Sequence, residues 1–424
     1  MVDEISFDES LFDKYDEDIR KYSYIENEIC SITDSKVEFL ANYILQKFSN
    51  EMEYIFSLVC YVADIRPFSW KSLVKLIRSL PNYETIKVKT GRFSEFLIKE
   101  KIITQRRPRC YQYANIDEVL IEEEFEKDTI PYYIRNDDLD KLIEKLSENN
   151  LDFSVNFKLR DKEMTMLDIS AFYGSSNTFK YLVMNDIKLT NKTAKYSVMG
   201  GNYEIVRISQ QKGSDFSQCL MKAIQSHNND IAYWISENYN YDLLNFFEVY
   251  HSFNTFCLNY FLKIKKIDLT MNGSTPLTFV CGIRPDITLF LLENGVDENE
   301  VDEYGIFPLN SCCINKNIEC AKVILENSRV DINHKDERGS TPLHYAVYSR
   351  SLDIVKLLFN KKCLIDIENK ERKSQLQIAV DNNDLSIASF LLDKGAFVSK
   401  RFIGPNITKE MKQLILNHLD NDDF

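Results

Sequence analysis

"DERGSTPLHYAVYSRSLDIVKLLFN", Asp336 to Asn360, is the stretch from which the rest of the chain can be read. Gly339 permits the positive φ of a tight turn, Thr341 can cap a helix with its hydroxyl, and Pro342 suits a first helical position, where the amide has no intrahelical partner anyway. Ala346 is small enough for two antiparallel helices to approach closely. Ile354, Val355, Leu357 and Leu358 then supply the apolar stripe of a second helix. His344 reads as a hydrogen-bonded tether beside the turn, not as a catalytic group.

The pattern repeats at a nearly fixed period, the first thing to test for in a long chain. Downstream, Ser374 follows Thr341 by 33 residues and Ala379 follows Ala346 by 33, and Gly395 and Ala396 close "LSIASFLLDKGA". Gln375 stands there in place of Pro, and Arg372 in place of Gly. The turn at that point is therefore expected to be reshaped or strained. Upstream, Gly305, Pro308 and Leu309 fall in register with Phe307 where Thr belongs, and Gly273, Thr275, Pro276 and Leu277 mark a further copy. Earlier still the turn residues fade while helix pairs persist in "QCLMKAIQSHNNDIAYWI", "TAKYSVMGGNYEIVRIS" and "TMLDISAFYGSSNTFKYLV". Residues 241–267 are expected to hold another divergent pair, giving seven or eight units.

Thr341, Pro342, Leu343, His344 and Ala346 spell T-P-L-H-x-A, and with their 33-residue period they resemble the ankyrin repeat. From about Asp138 to Tyr239 the wording goes further. "LDISAFYGSSNTFKYLVMNDIKLT" and "CLMKAIQSHNNDIAYWISENY", together with "YIFSLVCYVADIRPFSW" near the start, resemble the domain of unknown function that precedes ankyrin repeats in the large trichomonad protist families. That resemblance implies an architecture and brings no catalytic residues.

The fold expected is all-α: an ankyrin-repeat solenoid of helix-turn-helix units with short hairpin loops, preceded by a small helical domain. Residues 1–125 form the helical N-terminal domain, with helical signals at "SKVEFLANYILQKF", "EMEYIFSLVCYVADI", "SWKSLVKLIRSL" and "GRFSEFLIKEKII". This domain is expected to stack on the repeats, the alternative being a domain joined to them through the charged stretch near 105–130. Residues 126–268 hold degenerate repeats and 269–400 typical ones. In 401–424, Thr408 caps a final helix with Met411, Leu414, Ile415 and Leu419 on its apolar face, and an acidic tail follows.

Composition excludes several classes. The formal net charge of -13 opposes binding to nucleic acid or anionic lipid, and the short basic cluster of Lys101, Arg106, Arg107 and Arg109 reads as a solvated loop. The ten cysteines sit mostly in apolar stretches without a C-x-x-C pair, as reduced buried thiols do. The acidic N-terminus does not resemble a signal peptide, and the longest apolar run, Tyr54 to Ala63, is too short to span a bilayer. These features point to the cytoplasm, with the nucleus as the alternative. Phosphate-binding, serine-hydrolase and zinc motifs are absent, so neither a catalytic residue, a metal ligand nor a cofactor is expected.

Repeats of this kind work through a concave surface built from turn tips and first-helix faces. The candidate partner-binding residues in that register are Met271, Asn272 and Phe279; Glu303, Tyr304 and Ile306; Glu337, Arg338, Ser340 and Tyr345; and Lys370, Glu371 and Lys373. The expected function is non-enzymatic binding of a protein partner by a monomer. Two alternatives stand beside it. One is an adaptor whose N-terminal helices recruit a second machine such as a ubiquitin-ligase scaffold, although no F-box or SOCS-box wording supports it. The other is an enzyme with a cryptic site where the N-terminal helices meet the repeats.

Overall fold

A computed structural model describes residues 17–49, 52–65, 70–81, 87–88, 105–106, 128–149, 153, 155–159, 162–190, 192–269, 274–282, 284–327 and 329–419. The helix expected at 91–103, the basic cluster apart from Arg106, Cys110, the acidic tail, and the candidates Met271 and Asn272 lie outside these residues. The chain divides into two compact units, Met1–Asp268 and Leu269–Phe424.

The first unit begins with helices α1 (Glu17–Cys30), α2 (Val37–Lys47), α3 (Met52–Ile65) and α4 (Trp70–Arg78). Ile25, Ile29, Leu40, Ile44, Phe56, Val59, Leu73 and Leu76 bury their side chains together, and Ser72 anchors α4 to the α1–α2 connection by donating to Asp34 Oδ1 at 2.7 Å. A two-residue parallel ribbon, β1 (Lys87–Val88) with β2 (Gln105–Arg106), follows.

Five helical hairpins complete this unit: α5 (Ile130–Arg135) with α6 (Leu139–Glu148), α7 (Met166–Tyr173) with α8 (Ser176–Met184), α9 (Thr193–Gly200) with α10 (Tyr203–Gln211), α11 (Leu220–Gln225) with α12 (Asn229–Asn238), and α13 (Phe246–His251) with α14 (Thr255–Lys263). The first helices α5, α7, α9, α11 and α13 pack in series. An antiparallel ribbon, β3 (Asn156–Leu159) and β4 (Lys162–Thr165), joins the first two hairpins, and a parallel ribbon pairs β5 (Leu244–Asn245) with β6 (Ile267–Asp268).

Two devices tie these worn hairpins together, and neither was read from the sequence. Asn202, Asn228 and Asn254 stand 26 residues apart at the starts of successive second helices. Each donates its side-chain amide to a carbonyl at the end of the preceding hairpin's first helix: Asn202 to Gly174 O (2.9 Å), Asn228 to Val198 O (2.5 Å) and Asn254 to Ile224 O (2.9 Å). Asp168, buried in the position that His344 occupies in T-P-L-H, accepts from Thr190 Oγ1 (3.0 Å) and Thr193 Oγ1 (2.9 Å) of the next hairpin. Buried polar groups of this kind must be satisfied, so each rung fixes the register between neighbours.

The N-terminal helices stack on the last two of these hairpins. The carboxylate of Glu26, 1% exposed, accepts from Thr255 N (2.8 Å), Thr255 Oγ1 (2.6 Å) and the Tyr54 hydroxyl. Tyr61 donates to Gln225 O at 3.0 Å, and Phe253 places its ring 5.7 Å from that of Tyr54 and 5.4 Å from that of Tyr61. The junction is filled by rings and paired polar groups.

The second unit contains four hairpins: α15 (Pro276–Val280) with α16 (Pro285–Glu293), α17 (Pro308–Asn315) with α18 (Ile318–Asn327), α19 (Pro342–Tyr348) with α20 (Leu352–Asn360), and α21 (Gln375–Asp381) with α22 (Leu385–Asp393). First helices pack on first helices and second on second. Cys312, Ala346 and Ala379, all fully buried, allow that close approach, and Ile354, Val355 and Leu358 bury the stripe expected of α20. Helix α23 (Lys409–Leu419) packs on α22, with Thr408 Oγ1 accepting from Met411 N at 3.2 Å and with Met411 and Ile415 buried. Among the described residues there are therefore nine hairpins across the two units, against seven or eight expected. The first hairpin carries no turn signature, and its leading helix α5 has only six residues.

Thr341 and His344 form a reciprocal cap, with Thr341 N donating to His344 Nδ1 at 3.0 Å. That bond sets the tautomer: Nδ1 accepts, so Nε2 carries the proton and donates to Lys373 O of the next repeat at 3.3 Å. Burial pushes the imidazole pKa down, against the opposing pull of its backbone hydrogen bonds. His344 is thus a neutral tether between repeats. The nine described cysteines are free thiols, and burial pushes the pKa of Cys219 up to about 11.

Candidate interaction surface

Three successive turns in the second unit are built alike. Asp302 Oδ1 accepts from Tyr304 N (2.9 Å) and Ile306 N (2.8 Å), Asp336 Oδ1 from Arg338 N (2.9 Å) and Ser340 N (2.7 Å), and Asn369 Oδ1 from Glu371 N (3.0 Å) and Lys373 N (3.1 Å). In each, the first residue's amide also bonds the fifth residue's carbonyl. A short polar side chain that organises the two amides following it is the usual reason for Asp or Asn to begin a turn. The second and third residues are left projecting at the tip.

The turns are also in register with one another. Lys370 N donates to Arg338 O at 2.9 Å, and a Cβ on Gly305 would lie 3.0 Å from Glu337 N. Gly305 and Gly339 both hold φ +71°, so these glycines answer two demands at once, left-handed backbone and close approach of the next turn. The turn at 369–373 keeps the same hydrogen bonds although Arg372 replaces Gly. It is strained and not reshaped: Arg372 takes φ +58° with its side chain exposed.

The structure sorts the candidates into distinct groups. Glu303, Tyr304, Glu337, Arg338, Lys370 and Glu371 are exposed at the tips, Tyr304 at 61%. Phe279 and Ile306 are half-buried. Lys373 is half-buried and paired with Asp381 at 2.8 Å, which raises its pKa. Ser340 is a correction: it is buried, because its amide is held inside the turn by Asp336. Tyr345 is half-buried, and its hydroxyl donates to Asp336 Oδ2; burial first, and that bond second, push its pKa up. It braces the tip.

Sequence register overlooked three exposed side chains beside these. Ile314 (42%) and Tyr348 (43%) occupy equivalent positions late in α17 and α19, and Arg372 stands on the last turn. The signal available was the 34-residue spacing of Ile314 and Tyr348, each at the end of a first helix. Among the described residues, no cluster of three or more His, Cys, Asp and Glu side chains could hold a metal ion, and no helix is long and apolar enough to cross a membrane.

Helical hairpins packed first helix on first and second on second, with aligned turns and a T-P-L-H cap at Thr341–His344, define an all-α ankyrin-repeat fold, of the class that presents side chains for protein-protein interaction. Residues 325–401 match the family described as ankyrin repeats (three copies), and residues 184–262 match a domain of unknown function (DUF3447). The domain thus precedes the repeats, in the order that the sequence resemblance implied. The chain matches no curated protein.

Proposed function

We infer that this chain is a non-enzymatic interaction protein that binds a protein partner on the concave face of its second unit, formed by the turn tips and the exposed sides of the first helices. The observation that carries this reading is the row of three interlocked turns. Most of their backbone amides are consumed internally, so the exposed tip side chains can be exchanged without loss of the scaffold. Aromatic and Arg anchors such as Tyr304, Tyr348 and Arg338 are the types enriched where proteins bind tightly. The kinship with the large trichomonad families, carried by the wording of residues 138–239, is part of this proposal. So is a monomeric state.

The test is affinity capture by the full chain beside a variant carrying Tyr304→Ala, Arg338→Ala and Tyr348→Ala, with unchanged thermal melting as the folding control. If every captured protein survives the triple change, the concave-face reading fails.

A second reading is the adaptor. On α1 and α2, Phe39 (57% exposed) and Tyr24 (40% exposed) flank Tyr43, with ring centroids 6.5 and 5.0 Å from it. An aromatic cluster of this kind on the surface is a candidate second binding site. Because Glu26 and Phe253 bind the N-terminal helices to the repeats, deleting residues 1–125 would expose a core. The substitutions Phe39→Ala and Tyr24→Ala are the cleaner probe: an adaptor loses one group of partners and keeps the other.

A further inference from the structure

The charges along the three turn tips are ordered. The turn at 302–306 is acidic, with Glu303 exposed and Asp302 half-buried. The turn at 336–340 pairs an exposed anion, Glu337, with an exposed cation, Arg338. In the turn at 369–373, Lys370 and Arg372 outweigh Glu371, while Lys373 is already matched by Asp381. Among the described residues no ion pair engages Glu303, Glu337, Arg338, Lys370 or Arg372. Tyr348, on the middle repeat, stands between the two ends, and Tyr304 and Ile314 stand beside the acidic end, all exposed by two-fifths or more.

The tips cannot readily recruit a partner by adding a strand. The amides of Tyr304, Ile306, Arg338, Ser340, Lys370, Glu371 and Lys373 are spent on internal bonds. Recognition must therefore come from side chains, through charge complementarity at the ends and apolar contact between them.

We propose that this face takes an extended peptide segment whose own charges are segregated: basic residues at the end that lies over Asp302 and Glu303, acidic residues at the end over Lys370 and Arg372, and an aromatic or aliphatic side chain between. The proposal rests on the concave-face reading above. Neighbouring helices pack ~8–10 Å apart, so the outer turns are separated by about 20 Å, which an extended chain at ~3.3 Å per residue spans in about six residues. The two charged ends of the bound segment are separated by that length. Either chain direction satisfies the pattern; interspersed charges do not.

The test uses the full chain as bait for a phage-displayed library of random peptides about twelve residues long, with selected sequences remade as fluorescent peptides and titrated by anisotropy. The expected result is enrichment of peptides with basic and acidic ends about six residues apart. Their binding weakens about tenfold with Lys370→Glu plus Arg372→Glu, recovers when the peptide's acidic residues become lysine, and falls as salt rises. All the altered residues are exposed, and thermal melting checks that the variants fold. Peptides that lose binding with Tyr304→Ala and Tyr348→Ala but lack segregated charge would overturn the charge assignment and leave the concave-face reading intact. Peptides indifferent to both pairs of changes, or no enrichment over an unrelated bait, would overturn both.

Discussion

Glu26 and Thr255 lie 229 residues apart in sequence, yet the carboxylate of one accepts both the backbone amide and the hydroxyl of the other, at 2.8 and 2.6 Å. Thr255 is the first residue of α14, so the anion also sits where a helix presents unpaired amides and positive dipole. The N-terminal helices are thereby bonded to the fifth hairpin in the same compact unit, through a group too deeply buried to be replaced by water.

Removing that group should be costly. Glu26→Ala leaves the Thr255 amide, its hydroxyl and the Tyr54 hydroxyl without their buried acceptor, and is expected to cost about 3 kcal/mol. Glu26→Gln keeps an acceptor oxygen and should cost less. Urea unfolding of the full chain, followed at the tryptophans, checks both; a melt unchanged by Glu26→Ala would contradict the junction.

Two buried asparagines should respond differently. Asn254 donates to Ile224 O and Asn229 Oδ1 and accepts from Cys257 N, so Asn254→Ala is expected to destabilise by about 2 kcal/mol. Asn310 is fully buried with neither amide atom hydrogen-bonded, because Phe307 takes the place of the capping Thr its position would pair with. Asn310→Ala removes a desolvated amide at the cost of a small cavity, and the two effects nearly cancel. Calorimetric melts of the pair decide whether burial or satisfaction sets the cost.

The turn glycines carry a sharper contrast. Gly339→Ala places a Cβ 3.2 Å from Lys370 N on a backbone at φ +71°, and should cost about 1–2 kcal/mol. Arg372→Gly relieves the same left-handed strain at an exposed site, and should leave stability unchanged or raise it by up to about 1 kcal/mol. Tm shifts of opposite sign, or a shift for Gly339→Ala alone, agree with this account. Equal loss in both variants does not.

His344 predicts a pH dependence. Its pKa is lowered from 6.5 in the folded chain, chiefly by burial, so the unfolded chain binds the proton more readily. The stability from the neutral tether is therefore fully present above pH 6.5 and is lost as the pH falls below it. Between about pH 7 and pH 5.5, the Tm of the wild type should fall more steeply than that of His344→Gln, which has no imidazole to protonate.

How much was legible in the sequence follows from where each cause lies. The period of the repeats, the Thr341–His344 cap, the apolar stripe of α20 and the final helix depend on residues a few positions apart, and a local pattern is enough to state them. The exposed tips Glu303, Tyr304, Glu337, Arg338, Lys370 and Glu371 were also within reach, because register alone places them. The asparagine rungs could have been read from their 26-residue spacing.

Other properties were decided only when distant segments met. Ser340 looks like a tip residue until Asp336 draws its amide inward, and Tyr345 looks like a contact residue until the same carboxylate takes its hydroxyl. Arg372 keeps a glycine's backbone because the hydrogen bonds around Asn369 over-determine the turn. The contact between Glu26 and Thr255 has no sequence signature at all. Helix formation and repeat phase come from short-range sterics and capping, which the order of residues encodes directly; burial, and the pairing of polar groups it compels, exist only once remote surfaces have been brought together.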